Sequence, residues 1–96
     1  MSRLPVVFDK RAELEASAAF KWYSARNAAA AEGFRAELER AVDRVASRPQ
    51  TYAAYEPGTR RVLFEKYPYA LVYAVTDERV VVLAVMHTRR KPGYWK

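Results

Sequence analysis

A chain of 96 residues is long enough for one compact domain and too short for two, because chains usually divide only beyond roughly 250 residues. Its 51% hydrophobic and 14% aromatic content supplies one modest core and excludes intrinsic disorder. Seventeen Lys and Arg against eleven Asp and Glu leave a net charge of +6, which favours nucleic acid, an anionic membrane surface or an acidic protein as partner.

Residues Pro5 to Phe8 read as a short first strand, with Pro5 tolerable only at a strand start or a sheet edge. Asp9 is placed to cap a helix that begins near Lys10 or Arg11. Between Arg11 and Asn27, the residues Ala12, Ala16, Ala19, Phe20 and Tyr23 recur at helical spacing, and Glu13, Ser17, Lys21 and Ser24 mark the solvent side. Leu14, Ala18, Trp22 and Ala25 widen the apolar zone, which predicts a helix that touches two neighbours. The helical hairpin is expected to turn within the Ala28 to Ala31 run. A second helix is predicted from about Ala30 to Ser47, where Phe34, Leu38, Ala41, Val42 and Val45 share one face and Glu32, Arg35, Glu39 and Asp43 the other. Pro49 ends it.

Gln50 to Thr59, with Pro57-Gly58, reads as a loop. Three β segments follow: Arg60 to Glu65, Tyr69 to Thr76 and Val80 to His87, the last two joined by a tight turn at Asp77-Glu78. The stretch Val80 to Met86 is apolar without alternation, which predicts a strand covered on both faces or paired centrally. The order β-α-α-β-β-β over 1–96 predicts a single α+β domain, a helical hairpin packed on a mostly antiparallel, twisted sheet. Leu4 to Phe8 is too short for a signal-peptide core, and the seven residues Val80 to Met86 fall well below the ~20 needed to span a bilayer. A soluble cytoplasmic protein with no membrane association is expected.

The absence of cysteine excludes disulfides, thiolate catalysis and cysteine-ligated metal, and a single histidine excludes a multi-histidine site. Neither metal nor cofactor is therefore expected. Four basic residues and no acid fall within the last ten, His-Thr-Arg-Arg-Lys-Pro-Gly-Tyr-Trp-Lys. Arginines interleaved with Tyr94 and Trp95 suit phosphate clamping and base stacking, while the plainer reading is a solubilising tail with Trp95 over the core. Arg60 and Arg61 begin a strand and are expected to lie near that segment. His87 is either a general acid or base near neutral pH or a strand-end residue that bonds a backbone group. No carboxylate partners it in sequence, and no phosphate-cradling glycine loop is present. Tyr67, Tyr69, Trp22 and Tyr23 read most simply as core and sheet packing.

Trp22-Tyr23 late in the first helix, Phe34 to Leu38 in the second, Ser47-Arg48-Pro49 at its end, Arg60-Arg61-Val62-Leu63, Tyr67-Pro68-Tyr69-Ala70-Leu71-Val72-Tyr73 and the ending His87-Thr88-Arg89-Arg90 through Trp95 form one ordered pattern. Together they resemble the RelE/ParE superfamily of bacterial type II toxin–antitoxin toxins. The resemblance spans nearly the whole chain and implies the same architecture that periodicity predicts. It also implies a growth inhibitor held in check by a cognate acidic antitoxin in a hetero-oligomeric complex, with Arg60, Arg61, Arg89, Arg90, Lys91, Tyr94 and Trp95 as the surface that meets antitoxin or target.

RelE-like members cut messenger RNA on the ribosome. Such a site here would use Arg60 or Arg61 together with Arg90 on phosphate, with His87 or Tyr94 handling protons. ParE-like members poison DNA gyrase by binding, without chemistry of their own. The loop before Arg60 lacks the lysines that RelE-like nucleases usually carry there, so the ParE-like reading is favoured over the ribonuclease. A non-toxic binding module that retains the fold is the third reading.

Overall fold

A computed structural model of the protein describes residues 3–90. Its first strand, β1 (Val6–Phe8), ends at Asp9, whose carboxylate accepts the Arg11 N–H at 3.2 Å and so starts α1 (Lys10–Ser24). Ala12 and Ala19 are buried and Ala16, Phe20 and Tyr23 pack against them, as the spacing predicts. The helix stops at Ser24, earlier than expected. The N–H groups of Ala25, Arg26 and Asn27 fold back onto the carbonyls of Lys21 and Tyr23, and Asn27 turns extended.

Asn27 Oδ1 then accepts the Ala30 N–H at 3.0 Å and opens α2 (Ala28–Ser47). The hairpin thus turns before the alanine run rather than within it, because alanine is the best helix former and Asn27 supplies the cap. Phe34, Ala41 and Val45 are fully buried, and Leu38 and Val42 partly so. The expected loop contains a further strand, β2 (Ala53–Ala54), which the Pro57-Gly58 turn, with φ of +79° at Gly58, folds against β3 (Arg60–Leu63). β4 (Tyr69–Val75) and β5 (Val80–His87) form the hairpin about Asp77-Glu78, where Thr76 Oγ1 accepts the N–H groups of Glu78 and Arg79.

The five strands lie in the order β1-β5-β4-β3-β2. Only the β1–β5 pair is parallel; the others are antiparallel. The expected order β-α-α-β-β-β is present with the two-residue β2 added, and β5 is paired on both sides as its apolar run predicts. One sheet face, including Val62, Leu71, Tyr73, Val80, Val82 and Val85, packs under the helices. On the other face Ala70, Val72, Ala84 and Met86 form a second buried cluster against which Tyr55 packs.

Two side chains from α2 and its neighbours fix the far end of the sheet. Glu37 is 2% exposed, and its carboxylate accepts the Glu65 and Lys66 N–H groups at 2.7 and 2.9 Å, ending β3 two residues before the expected boundary. Tyr67 donates its hydroxyl to the Ala30 carbonyl at 2.7 Å.

Candidate functional site: a groove between the first helix and the open edge of the sheet

β1 covers only the first part of the outer edge of β5. It pairs with Val80–Val82, and at Asp9 the chain leaves the sheet to begin α1. Just beyond, β5 carries an extra residue: Val72 pairs with Ala84 and Tyr73 with Val82, leaving Leu83 between them as a bulge. The bulge shifts the alternation, so Val80 and Val82 before it and Val85 after it all face the helices. It also turns the Val85 N–H outward, where Glu15 of α1 accepts it at 2.9 Å.

α1 and this part of β5 enclose a groove of about 510 Å³. Glu15, Ala18 and Trp22 line one wall, Tyr69 and Val85 the other, and His87 and Arg90 stand at its end. α1 touches two neighbours, α2 and β5, as predicted, but not through the widened stripe, in which Leu14 is 60% exposed and Trp22 52%. Trp22 is therefore not a core residue. Arg26 lies over its ring at 3.8 Å from the centroid and donates to the Trp22 carbonyl at 2.9 Å, which holds an aromatic–cation pair at the rim.

The floor is aromatic. Tyr23 stacks on Phe34 at 5.6 Å and meets Tyr67 and Tyr69 edge-on, as the packing reading of these tyrosines expects. Burial pushes the Tyr69 phenol above its ordinary value; nearby Arg90 pulls the other way and Glu15 adds to the rise. Tyr23 is raised by burial and by its two tyrosine neighbours. At neutral pH both rings are hydrogen-bonding phenols and not bases.

His87 sits against Tyr69 with centroids 5.2 Å apart. Its Nδ1 accepts the Arg89 N–H at 3.2 Å and its carbonyl accepts the Arg90 N–H at 2.9 Å. A neutral ring bonded in this way carries its proton on Nε2. The strand-end reading of His87 therefore describes its contacts, while its remaining edge borders the groove.

Of the residues singled out in the sequence, His87 and Arg90 come together, with Arg89 exposed beside them. Arg60 and Arg61 do not join them, contrary to expectation. Arg60 lies opposite Tyr73 whereas His87 lies opposite Tyr69, four residues along the sheet or roughly 13 Å at 3.3 Å per residue. Arg60 donates to the Tyr52 carbonyl at 2.7 Å, and Arg61 lies over Tyr55, which packs on the opposite sheet face from the helices. Antiparallel pairing forces this outcome, because β3 starts beside the end of β4 and not beside its beginning. Lys91, Tyr94 and Trp95 lie outside the described residues.

Glu15 escaped the sequence reading. The available signal was an acid at helical spacing from Ala18, Ala19 and Trp22, on an otherwise apolar stripe. Among the described residues no three His, Cys, Asp or Glu side chains gather into a metal site, and no helix is long and apolar enough to cross a membrane.

No curated protein matches the sequence. A solved structure described as the chromosomal ParDE toxin–antitoxin system from P. aeruginosa superposes with a TM-score of 0.76 over 88% of this chain and 96% of that one, at 15% identity. It shares the fold. The sequence profile described as the ParE toxin of the type II toxin–antitoxin system parDE matches residues 6–92, and the chain accordingly belongs to the ParE family of type II toxins.

Proposed function

We propose that this ParE-family chain inhibits growth by binding and poisoning DNA gyrase, and that an acidic antitoxin encoded beside it neutralises it in a cytoplasmic hetero-oligomeric complex. The observation that carries the binding reading over the nuclease reading is the separation of Arg60 and Arg61 from His87 and Arg90. A ribonuclease must bring phosphate-binding and proton-transferring groups to one scissile bond, within hydrogen-bond reach of each other's substrate atoms. Here the sheet holds Arg60 and Arg61 four and three residues away from His87, roughly 13 and 10 Å along the strands. The groove instead offers an apolar wall, neutral phenols and a cationic rim, which suit recognition of an acidic protein surface.

Induction of the gene without its neighbour should arrest growth, and co-expression of the adjacent open reading frame should restore it. Purified protein added to gyrase is expected to suppress supercoiling or trap the cleaved DNA complex. Unaltered supercoiling together with messenger RNA cleavage that disappears in Arg90→Ala would replace gyrase by the ribosome as the target. Normal growth on induction would favour a non-toxic binding module.

A further inference from the structure

We infer that α2 from Arg40 to Arg48 carries a phosphate-backbone site for duplex DNA, with Arg44 at its centre beside a second cavity. The choice of DNA rests on the gyrase reading, since that target holds a duplex, but the test below does not use gyrase.

Arg40, Arg44 and Arg48 recur at every fourth residue along α2. At a rise of 1.5 Å per residue they stand about 6 Å apart on successive turns, in a row about 12 Å long. Arg40 and Arg48 are exposed and Arg44 is half-buried. None of the three makes an ion pair among the described residues. Arg35, on another face of the same helix, is instead clamped by Glu32 and Glu39 at 2.7 and 2.8 Å. The acids closest to the row are engaged elsewhere. Glu37 accepts the Glu65 and Lys66 N–H groups, and Asp43 pairs with Arg3 at 3.0 Å. The helix dipole accounts for cations in the last turn of α2, but not for Arg40, two turns earlier.

A cavity of about 370 Å³ opens beside the row, lined by Asp43, Arg44, Ser47, Arg48 and Tyr52. Arg44 Nε is shut off from solvent and has no hydrogen-bond partner among the described residues. A guanidinium edge in that state has neither water nor an acceptor. An oxyanion entering the cavity supplies the acceptor once the edge turns toward it. Arg60 donates to the Tyr52 carbonyl at 2.7 Å, which sets a further cation beside Tyr52. The one acid on the wall is Asp43, already neutralised by Arg3.

Arginines with serine and tyrosine hydroxyls are the groups that contact phosphate oxygens on a duplex. A peptide's apolar side chains would find no aliphatic partner on this wall. A duplex presents one phosphate per ~3.4 Å along each strand, so the row of cations spans several of them. Such contacts carry no sequence preference. The row also lies apart from the groove. β5 borders the groove and is second in the strand order, while β3, against which α2 packs, is fourth. One molecule can therefore hold DNA on α2 and a protein partner in the groove together.

The test follows the fluorescence anisotropy of a labelled duplex of about 20 base pairs, titrated with the full chain at salt concentrations from about 50 to 200 mM. Three phosphate contacts predict that log K falls with log salt concentration at a slope of about −3. Arg40→Glu/Arg48→Glu, at two exposed positions, should weaken binding at least about tenfold at low salt and flatten the slope by about 2. Arg44→Gln should flatten it by about 1. Arg11→Glu/Lys21→Glu, which changes the net charge equally on α1, should keep the parent's slope. No duplex binding, one slope for all variants, or equal losses in the two double variants overturns the assignment to this row. Tighter binding of a single-stranded RNA of the same length, or displacement by inorganic phosphate at constant ionic strength, overturns duplex DNA as the ligand. Duplex binding can be found with supercoiling unaltered, and supercoiling can be suppressed without duplex binding, so failure here and failure of the gyrase reading are separately visible.

Discussion

A single hydroxyl decides what residue 33 can be. Tyr67 donates to the Ala30 carbonyl at 2.7 Å, and its Oη then lies where a Cβ on Gly33 would be built, with Cζ at 3.3 Å from the same point. Helix propensity alone favours alanine over glycine by about 1 kcal/mol in the middle of a helix such as α2. Overpacking opposes it at about 1–3 kcal/mol, and the tyrosine cannot swing aside without losing its bond. Gly33→Ala is therefore expected to destabilise the protein in urea unfolding. In a Tyr67→Phe background, which itself loses about 1 kcal/mol, the cost of Gly33→Ala should shrink. A more stable Gly33→Ala in the unaltered background would show that Tyr67 does not occupy that space. No local pattern reveals this pair, because its partners are 34 positions apart and belong to different elements.

At the scale of elements, local physics and tertiary pairing divide what a reader of the sequence can see. α2 was legible because Phe34, Leu38, Ala41, Val42 and Val45 repeat along one face and Pro49 stops the helix. It starts at Ala28, two residues before the predicted Ala30, because Asn27 caps it. Asn27→Ala removes the acceptor of the Ala30 N–H and should lower the midpoint of thermal unfolding by an amount equivalent to about 1 kcal/mol, with Asn27→Asp close to the parent. Equal stability of the alanine variant would mean that the alanine run nucleates α2 unaided. The β4–β5 hairpin was legible from its turn and its apolar run. The site was only half legible. His87 and Arg90 follow one another in sequence, so their meeting is local. The distance of Arg60 from them depends on strand register, and the capture of the Val85 N–H by Glu15 depends on a bulge. Trp22 looked like core material because periodicity identifies an apolar stripe and cannot say whether the chain has anything left to cover it.

Taken as a whole, the molecule ties its two layers together through tyrosines, and this fixes how it meets alkaline pH. Tyr73 on β4 is fully buried and donates its hydroxyl to the Pro49 carbonyl, just past α2, at 2.7 Å. Burial is the main cause of its pKa being pushed up to about 12; Arg60 works against the rise and Tyr52 adds to it. Tyr23 and Tyr69 are raised as well, again chiefly by burial. Below pH 10 the phenols are neutral in the folded and unfolded chains alike, so they give stability no pH dependence. Above pH 10 the unfolded chain releases protons that the native one retains, and it therefore binds fewer. Stability must then fall as pH rises from 10 toward about 12 for Tyr73. The melting temperature of the parent is therefore expected to decline across this range. Tyr73→Phe should cost about 1 kcal/mol near pH 7 through the lost bond to Pro49, yet decline less steeply than the parent above pH 10. Parallel curves for parent and variant would show that Tyr73 does not hold its proton in the folded state.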